Sequence, residues 1–227
     1  MDENSGEFLA LMDGTWITAM RTGAVAVHSV LLFAKTGFST IGIMGLGNVV
    51  RSTLAILADK LPDREFHIKL LKYKSQEEDL AMRFANTKNF HFSFVDTPEE
   101  MVKGSDVVLS GATYLPNDVC EDKYFDEGVL VQSIHTLGFT NCDLFFDKVF
   151  ADDYGHVKHF KNFDKFKHFA EVCDVVNEDS VGRENDAERI LVYNIGVSIQ
   201  DVTFAAEIYQ MFAKNGVIDH YIILILI

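Results

Sequence analysis

From Phe38 onward the chain alternates short apolar, β-branched runs with stretches in which apolar side chains recur every three or four positions. Buried strands alternating with amphipathic helices are the pattern of a parallel sheet covered by helices. Residues 39–44 predict a first strand, and residues 48–59 a helix with Val50, Leu54 and Leu57 on one face. A second strand is expected at 66–73, a second helix at 77–85 and a third strand at 90–95. Thr97-Pro98-Glu99-Glu100 reads as a helix start, with a Thr N-cap, Pro at the first helical position and two acids facing the positive end of the helix dipole. Further strands are expected at 106–110, 128–134 and 148–151. The flanks differ: a strand-like piece at 8–12, a turn at Asp13-Gly14 and a helix through 21–35 come first. A polar stretch (177–185) and a long helix over 198–214 come last. The expected fold is α/β, a Rossmann-type parallel sheet over residues 38–176. A reduced second lobe, for substrate and dimer contacts, would form from both chain ends, 1–37 and 177–227.

Between the first strand and the first core helix stands Gly45-Leu46-Gly47-Asn48-Val49-Val50. A dinucleotide pyrophosphate needs a backbone it can approach closely and a helix N-terminus offering unpaired N–H groups. Gly45 suits the tight turn, Gly47 leaves room for the phosphates, and the helix opening at Asn48 supplies the positive dipole end. A lone Gly-x-Gly is weak evidence, but one that closes a strand and opens a helix is in the right context. The third glycine position holds Val50, which is expected to push the helix slightly away from the sheet. The second strand ends Leu71-Lys72-Tyr73-Lys74-Ser75, with no acid before Glu77 to take a ribose 2′-hydroxyl. Lys72 and Lys74 therefore favour a 2′-phosphate, and NADP is expected over NAD, although both side chains would also serve as plain surface lysines.

Composition narrows the partners. With 34 acidic and 20 basic side chains the net charge is −14, which argues against nucleic acid or an anionic membrane as the main partner. Cys120, Cys142 and Cys173 form no Cys-x-x-Cys pair and no even-numbered framework, so a reducing cytoplasm is the expected location. Met1-Asp2-Glu3-Asn4 has neither the basic nor the apolar part of a signal peptide, and the apolar run at 221–227 is too short to span a bilayer. Asp152-Asp153 with His156 and His159 matches no metal-ligand spacing, so a polar connection is expected there and no metal. Phe145, Phe146, Phe160, Phe163, Phe166 and Phe169 form an aromatic stripe that reads as core or dimer packing.

Met12-Asp13-Gly14-Thr15-Trp16-Ile17-Thr18-Ala19-Met20-Arg21-Thr22-Gly23-Ala24 resembles the MDGxxLTAxRTGA signature of the ornithine cyclodeaminase/mu-crystallin family. Gly182-Arg183-Glu184-Asn185-Asp186 and Gly196-Val197-Ser198-Ile199-Gln200-Asp201-Val202 resemble that family's GRxxxDE and GxAIQD segments. The resemblance implies an NAD(P)-dependent homodimer working at the carbon–nitrogen bond of a small amino or imino acid. It assigns Arg21 to the substrate carboxylate, a task suited to a bidentate guanidinium, with Thr22 beside it at the cofactor. Leu46, Asn48 and Val49 fall at the pyrophosphate, and Ser110 or Thr113 at the adenosine half. Ile134 falls beside the cofactor, and Asn194 and Ile195 match a pair touching nicotinamide and substrate.

Two departures bear on catalysis. The family's acid/base Asp, in the loop after the fifth strand, is matched here by Leu137. His135 is the nearest titratable group and the candidate proton carrier, though a strand-end histidine serves as readily as a hydrogen-bonded structural residue. The family also carries, before its signature, a segment supplying a lysine and a second carboxylate-binding arginine, and this sequence starts after it. Three readings stay open: an active oxidoreductase or cyclodeaminase, a dinucleotide-binding protein without turnover, and an inactive fragment of such an enzyme.

Overall fold

The computed structural model describes residues 2–115, 117–134, 139 and 144–214. The chain enters through α1 (Gly14–Phe33), then β1 (Thr40–Met44), α2 (Asn48–Lys60), β2 (Phe66–Leu71), α3 (Gln76–Arg83), β3 (Phe90–Val95), α4 (Pro98–Val102), β4 (Val107–Ser110) and β5 (Leu130–Ser133). It continues through β6 (Lys148–Ala151), α5 (Tyr154–Val157), β7 (Phe169–Glu171), α6 (Val172–Val176), β8 (Ile190–Tyr193) and α7 (Ser198–Lys214). The strands form one parallel sheet in the order β3-β2-β1-β4-β5-β8-β6-β7. The α/β Rossmann-type architecture is therefore present.

Both faces of the sheet are buried at β4, β5, β6 and β8, so alternate side chains of these strands feed two cores. Val107, Leu109, Leu130, Ile190 and Val192 pack on the side of α1 and α2. Val108, Val131, Leu191 and Tyr193 face the opposite side, where Met101, Phe125, Phe146 and Phe160 complete the core. The aromatic stripe packs there as a set of ring contacts, with Phe145 and Phe146 stacked at 4.2 Å and Phe160 edge-on to Tyr193 at 5.1 Å. The predicted start of α4 is also seen: Thr97 Oγ1 accepts from Glu100 N at 3.3 Å, and Pro98 is the first helical residue.

Three expectations are corrected. Residues 8–12 form no strand; Phe8 and Leu11 stand exposed, so their apolar character is not used within the described fold. The first helix starts at Gly14, not near Arg21, because the Asp13 carboxylate caps it by accepting from Thr15 N at 2.8 Å. The sheet has two strands beyond the six expected, and β8 lies between β5 and β6, so the sheet draws on residues well past 176. Ile190-Leu191-Val192-Tyr193 is only four residues long with no alternation, and it is wholly buried. Such a run carries little periodic signal.

Helix α1 is apolar enough in composition to cross a bilayer, but 56% of that stretch is buried within this fold, as a core helix is. Its contact with α2 is set by Gly23: a Cβ there would stand 2.9 Å from both Ser52 Cβ and Thr53 N. Gly23→Val is therefore expected to destabilise the chain by about 1–3 kcal/mol through overpacking, read from the shift of a urea unfolding curve. An unchanged midpoint would show that α1 can move off α2 without cost.

Candidate dinucleotide and carboxylate site

All strands run the same way, so the loops that follow them share one edge of the sheet. The winding reverses between β1 and β4, where β2 lies on one side of β1 and β4 on the other. Ligands of open α/β sheets bind at such a switch point. Gly45 sits there with φ +75°, and a Cβ on it would overlap the backbone of Gly111 and Ala112 in the loop after β4. Leu46 is buried beneath the turn. Gly47 is the N-cap of α2; among the described residues no side chain caps the helix, and beyond the chain neighbours no atom lies within 4 Å of where its Cβ would be. The first amides of α2, at Asn48, Val49 and Val50, therefore open onto unfilled space, as a pyrophosphate requires. Val50 is accommodated opposite a second glycine: a Cβ on Gly111 would lie 2.6 Å from Val50 Cγ2, so the missing third glycine of the turn is offset across the loop.

Lys72 and Lys74 lie just past β2 on the same edge, but they are not equivalent. Lys72 Nζ pairs with Asp96 Oδ1 at 2.8 Å, and that hydrogen bond raises the ammonium's pKa above its ordinary value. Lys74 makes no ion pair among the described residues and lies over the Tyr73 ring at 4.9 Å. Lys74 and Ser75 both adopt left-handed backbone (φ +51° and +60°), and Ser75 does not spend its hydroxyl on capping α3. Glu77 is buried and accepts from Tyr73 N at 2.9 Å, so its carboxylate is turned into the protein. Ser110 ends β4 and is buried, Thr113 is exposed in the following loop, and Ile134 follows β5. Thr22 is buried within α1. His135 and Leu137 lie outside the described residues.

Arg21 meets the loop between β8 and α7. Its Nε donates to Asp201 Oδ1 at 2.9 Å and its Nη1 to Gln200 Oε1 at 3.4 Å, both on the first turn of α7. Thr18 Oγ1 donates to the same Asp201 oxygen at 3.1 Å. Gly196, with φ +89°, packs so closely that a Cβ would overlap Arg21 Nη1 and stand 2.9 Å from Cζ. The guanidinium is thus held by α7 through Nε and Nη1, with 11% of the side chain exposed. Asn194 is fully buried, and its amide is used within the protein: Nδ2 donates to Asp152 Oδ1 at 2.7 Å, and Oδ1 accepts from Gln132 Nε2 at 2.5 Å. Ile195, partly exposed, follows it.

Sequence reasoning passed over Asp152, Gln132 and Gly196. Asp152 stood in a stretch read as a polar connection, whereas it begins the loop after β6, on the ligand-binding edge. Burial pushes its carboxyl above the ordinary range, against the hydrogen bonds from Asn194 and Gly196 and the nearby Arg21 charge. An Asp directly after an apolar strand such as Lys148–Ala151 was the available signal.

The sequence model of the ornithine cyclodeaminase/mu-crystallin family matches residues 1–216. The chain belongs to that family. It is 25% identical to N-((2S)-2-amino-2-carboxyethyl)-L-glutamate dehydrogenase of Staphylococcus aureus over 92% of this chain and 66% of that protein. With Delta(1)-pyrroline-2-carboxylate reductase of Bacillus cereus the identity is 26%, over 95% of this chain and 70% of the relative. The chain thus spans about two thirds of the length of these relatives. Among solved structures, Thermococcus litoralis Delta(1)-pyrroline-2-carboxylate reductase, in complex with NADH and L-proline, superposes with a TM-score of 0.79. That match has 22% identity and covers 95% of this chain and 71% of the other. An archaeal alanine dehydrogenase dimer with bound NAD also reaches 0.79, at 21% identity over 95% of this chain and 70% of that one. At these identities the superpositions show the shared fold.

Proposed function

We propose that this ornithine cyclodeaminase/mu-crystallin family chain binds a nicotinamide dinucleotide along the carboxyl edge of its sheet. There it oxidises or reduces the carbon–nitrogen bond of a small amino or imino acid. One observation carries the reading: the open glycine turn at the β1/β4 switch point and the Arg21 guanidinium beside β8 lie on the same edge. The α2 amides at the β1/β4 switch point would hold a dinucleotide's pyrophosphate, and the loops after β5 and β8, with Arg21, would line its redox end. The nicotinamide supplies hydride exchange. The chain's residues grip, orient and exclude water: the α2 amides hold the pyrophosphate, and Arg21 holds the substrate carboxylate so that its neighbouring carbon faces the ring. His135 is the proposed proton carrier. Relatives named for pyrroline-2-carboxylate reduction and alanine dehydrogenation support this substrate class.

A reading without turnover is favoured by Leu137, which leaves no acid at the family's proton-transfer position. Both readings are tested by following NADPH and NADH consumption with Delta(1)-pyrroline-2-carboxylate and with open-chain imino acids. Turnover that disappears in Arg21→Ala supports the enzyme. Dinucleotide binding with no turnover on any imino acid supports a binding protein.

For the cofactor, Lys74 and the free Ser75 hydroxyl favour NADP, and the inward turn of Glu77 removes the acid that would favour NAD. Lys72→Ala/Lys74→Ala is expected to weaken NADPH by about 10-fold and to leave NADH within twofold, in a fluorescence titration. Equal loss for both cofactors, or none, would remove these lysines from cofactor choice. The proposed assembly is a homodimer: no residue of α7 is buried, and Ile199, Val202 and Met211 stand exposed along it. Light scattering at graded concentrations checks this, and a strictly monomeric mass would refute it.

A further inference from the structure

The buried polar residues behind Arg21 form a closed circuit. Gln132, in the middle of β5, donates through Nε2 to Ala26 O of α1 at 2.8 Å and to Asn194 Oδ1 at 2.5 Å. Asn194 donates onward to Asp152 Oδ1 at 2.7 Å, and Asp152 Oδ2 accepts from Gly196 N at 2.7 Å. Gly196 lies against the guanidinium of Arg21, which returns the circuit to α1 five residues before Ala26. Gln132 and Asn194 are wholly buried, so the two bonds that Gln132 donates are made where water offers no substitute, while those to Asp152 are half-buried. Asp152 is the only member that accepts at two oxygens from two donors. It fixes the rotamer of Asn194 and, through Gly196, the height of the floor on which Arg21 rests.

From this circuit we infer that Asp152 is a positioning residue of the substrate-carboxylate site, acting on Arg21 through Gly196 and Asn194 and not by touching substrate. The inference rests on the reading of Arg21 as the carboxylate grip. Donor–acceptor logic makes it specific. In Asp152→Asn the new amide N–H₂ must face either Gly196 N or Asn194 Nδ2, both donors. Turning Asn194 over moves the conflict to Gln132 Nε2, and turning Gln132 over sets its Oε1 against Ala26 O. Every arrangement leaves one clash of like groups at a buried or half-buried position. The swap Asp152→Asn/Asn194→Asp removes it. Asn at 152 accepts from Gly196 N and donates to Asp at 194, which also accepts from Gln132.

The test uses the full chain loaded with NADPH and measures its affinity for pyrrole-2-carboxylate, a planar carboxylate probe, by calorimetry. Thermal unfolding and NADPH affinity are followed in parallel. Asp152→Asn is expected to lose about 10-fold or more in probe affinity with NADPH affinity within twofold, and the double swap to recover most of it. A residue that merely holds the fold together would weaken both ligands alike. If Asp152→Asn is unfolded, the folded double swap decides: near wild-type probe affinity supports the assignment, while loss of affinity or of folding overturns it. Full affinity in Asp152→Asn beside lost affinity in Arg21→Ala overturns the role of Asp152 alone. Full affinity in Arg21→Ala overturns the carboxylate grip and this inference with it.

Discussion

Gly47→Val is expected to abolish measurable binding of NADPH and NADH while leaving the chain folded. The two halves of this expectation have separate causes. Gly47 has φ −79° and ψ −172°, extended backbone that a β-branched residue adopts readily, and among the described residues no atom beyond its chain neighbours lies within 4 Å of its Cβ position. The valine's Cβ clashes with none of the described residues in the free protein. Its cost there is a poorer N-cap for α2, on the order of 1 kcal/mol, or about 2–4 °C in melting temperature for a chain of this size. In the complex the isopropyl group takes the space through which a pyrophosphate reaches the first amides of α2. Two charge-assisted hydrogen bonds lost together are worth about 3–6 kcal/mol, a loss of roughly 10²–10⁴-fold in affinity. Cofactor fluorescence titration and circular dichroism check the two halves. Retained binding by a folded Gly47→Val chain would show that the phosphates lie elsewhere.

The glycine turn was legible because its chemistry is local: a strand, two glycines and a helix start lie within a dozen residues, and each forces the next. The same holds for Thr97-Pro98, where cap and first turn are neighbours in sequence. What could not be read is whatever depends on distant segments meeting. Strand β8 is four apolar residues with no period, and only the vacancy between β5 and β6 makes it a sheet member. Asp152 looked like part of a solvated acidic connection; burial beside β8 turns it into a hydrogen-bond node more than forty residues from its partners Asn194 and Gly196. Val50 was read as a defect of the glycine turn, yet Gly111, sixty-one residues on, leaves the room its side chain needs. The strand-like reading of residues 8–12 was correct in pattern and failed in outcome, because no described segment pairs with them. Arg21 was assigned through its motif, while the contacts that aim it, from Gln200, Asp201 and Gly196, appear only when α7 folds back against α1.

That meeting of α1 and α7 makes Gly196→Ala the sharpest probe of the carboxylate grip. Gly196 has φ +89°, outside the region L side chains favour, and strain of this kind costs of order 1–3 kcal/mol. The added methyl would overlap Arg21 Nη1 and stand 2.9 and 3.1 Å from Cζ and Nη2. The far end of an arginine yields more easily than backbone, so the guanidinium swings away and the fold survives with a melting temperature a few degrees lower. The displacement breaks the Nε contact to Asp201 and moves the charge by an ångström or more from where α7 had set it. Misplacement on that scale costs about 100-fold in reactions that depend on orientation. The KM for an imino acid, or the dissociation constant of a carboxylate probe, is therefore expected to rise by about 10–100-fold. NADPH affinity should change less than twofold, because the phosphate turn lies at the other end of the site. Arg21→Lys, which keeps the charge and loses the fork, should give a similar loss without the strain at residue 196. If both variants bind carboxylate as the wild type does, Arg21 is not the grip, and the anion is held by another cation of this edge.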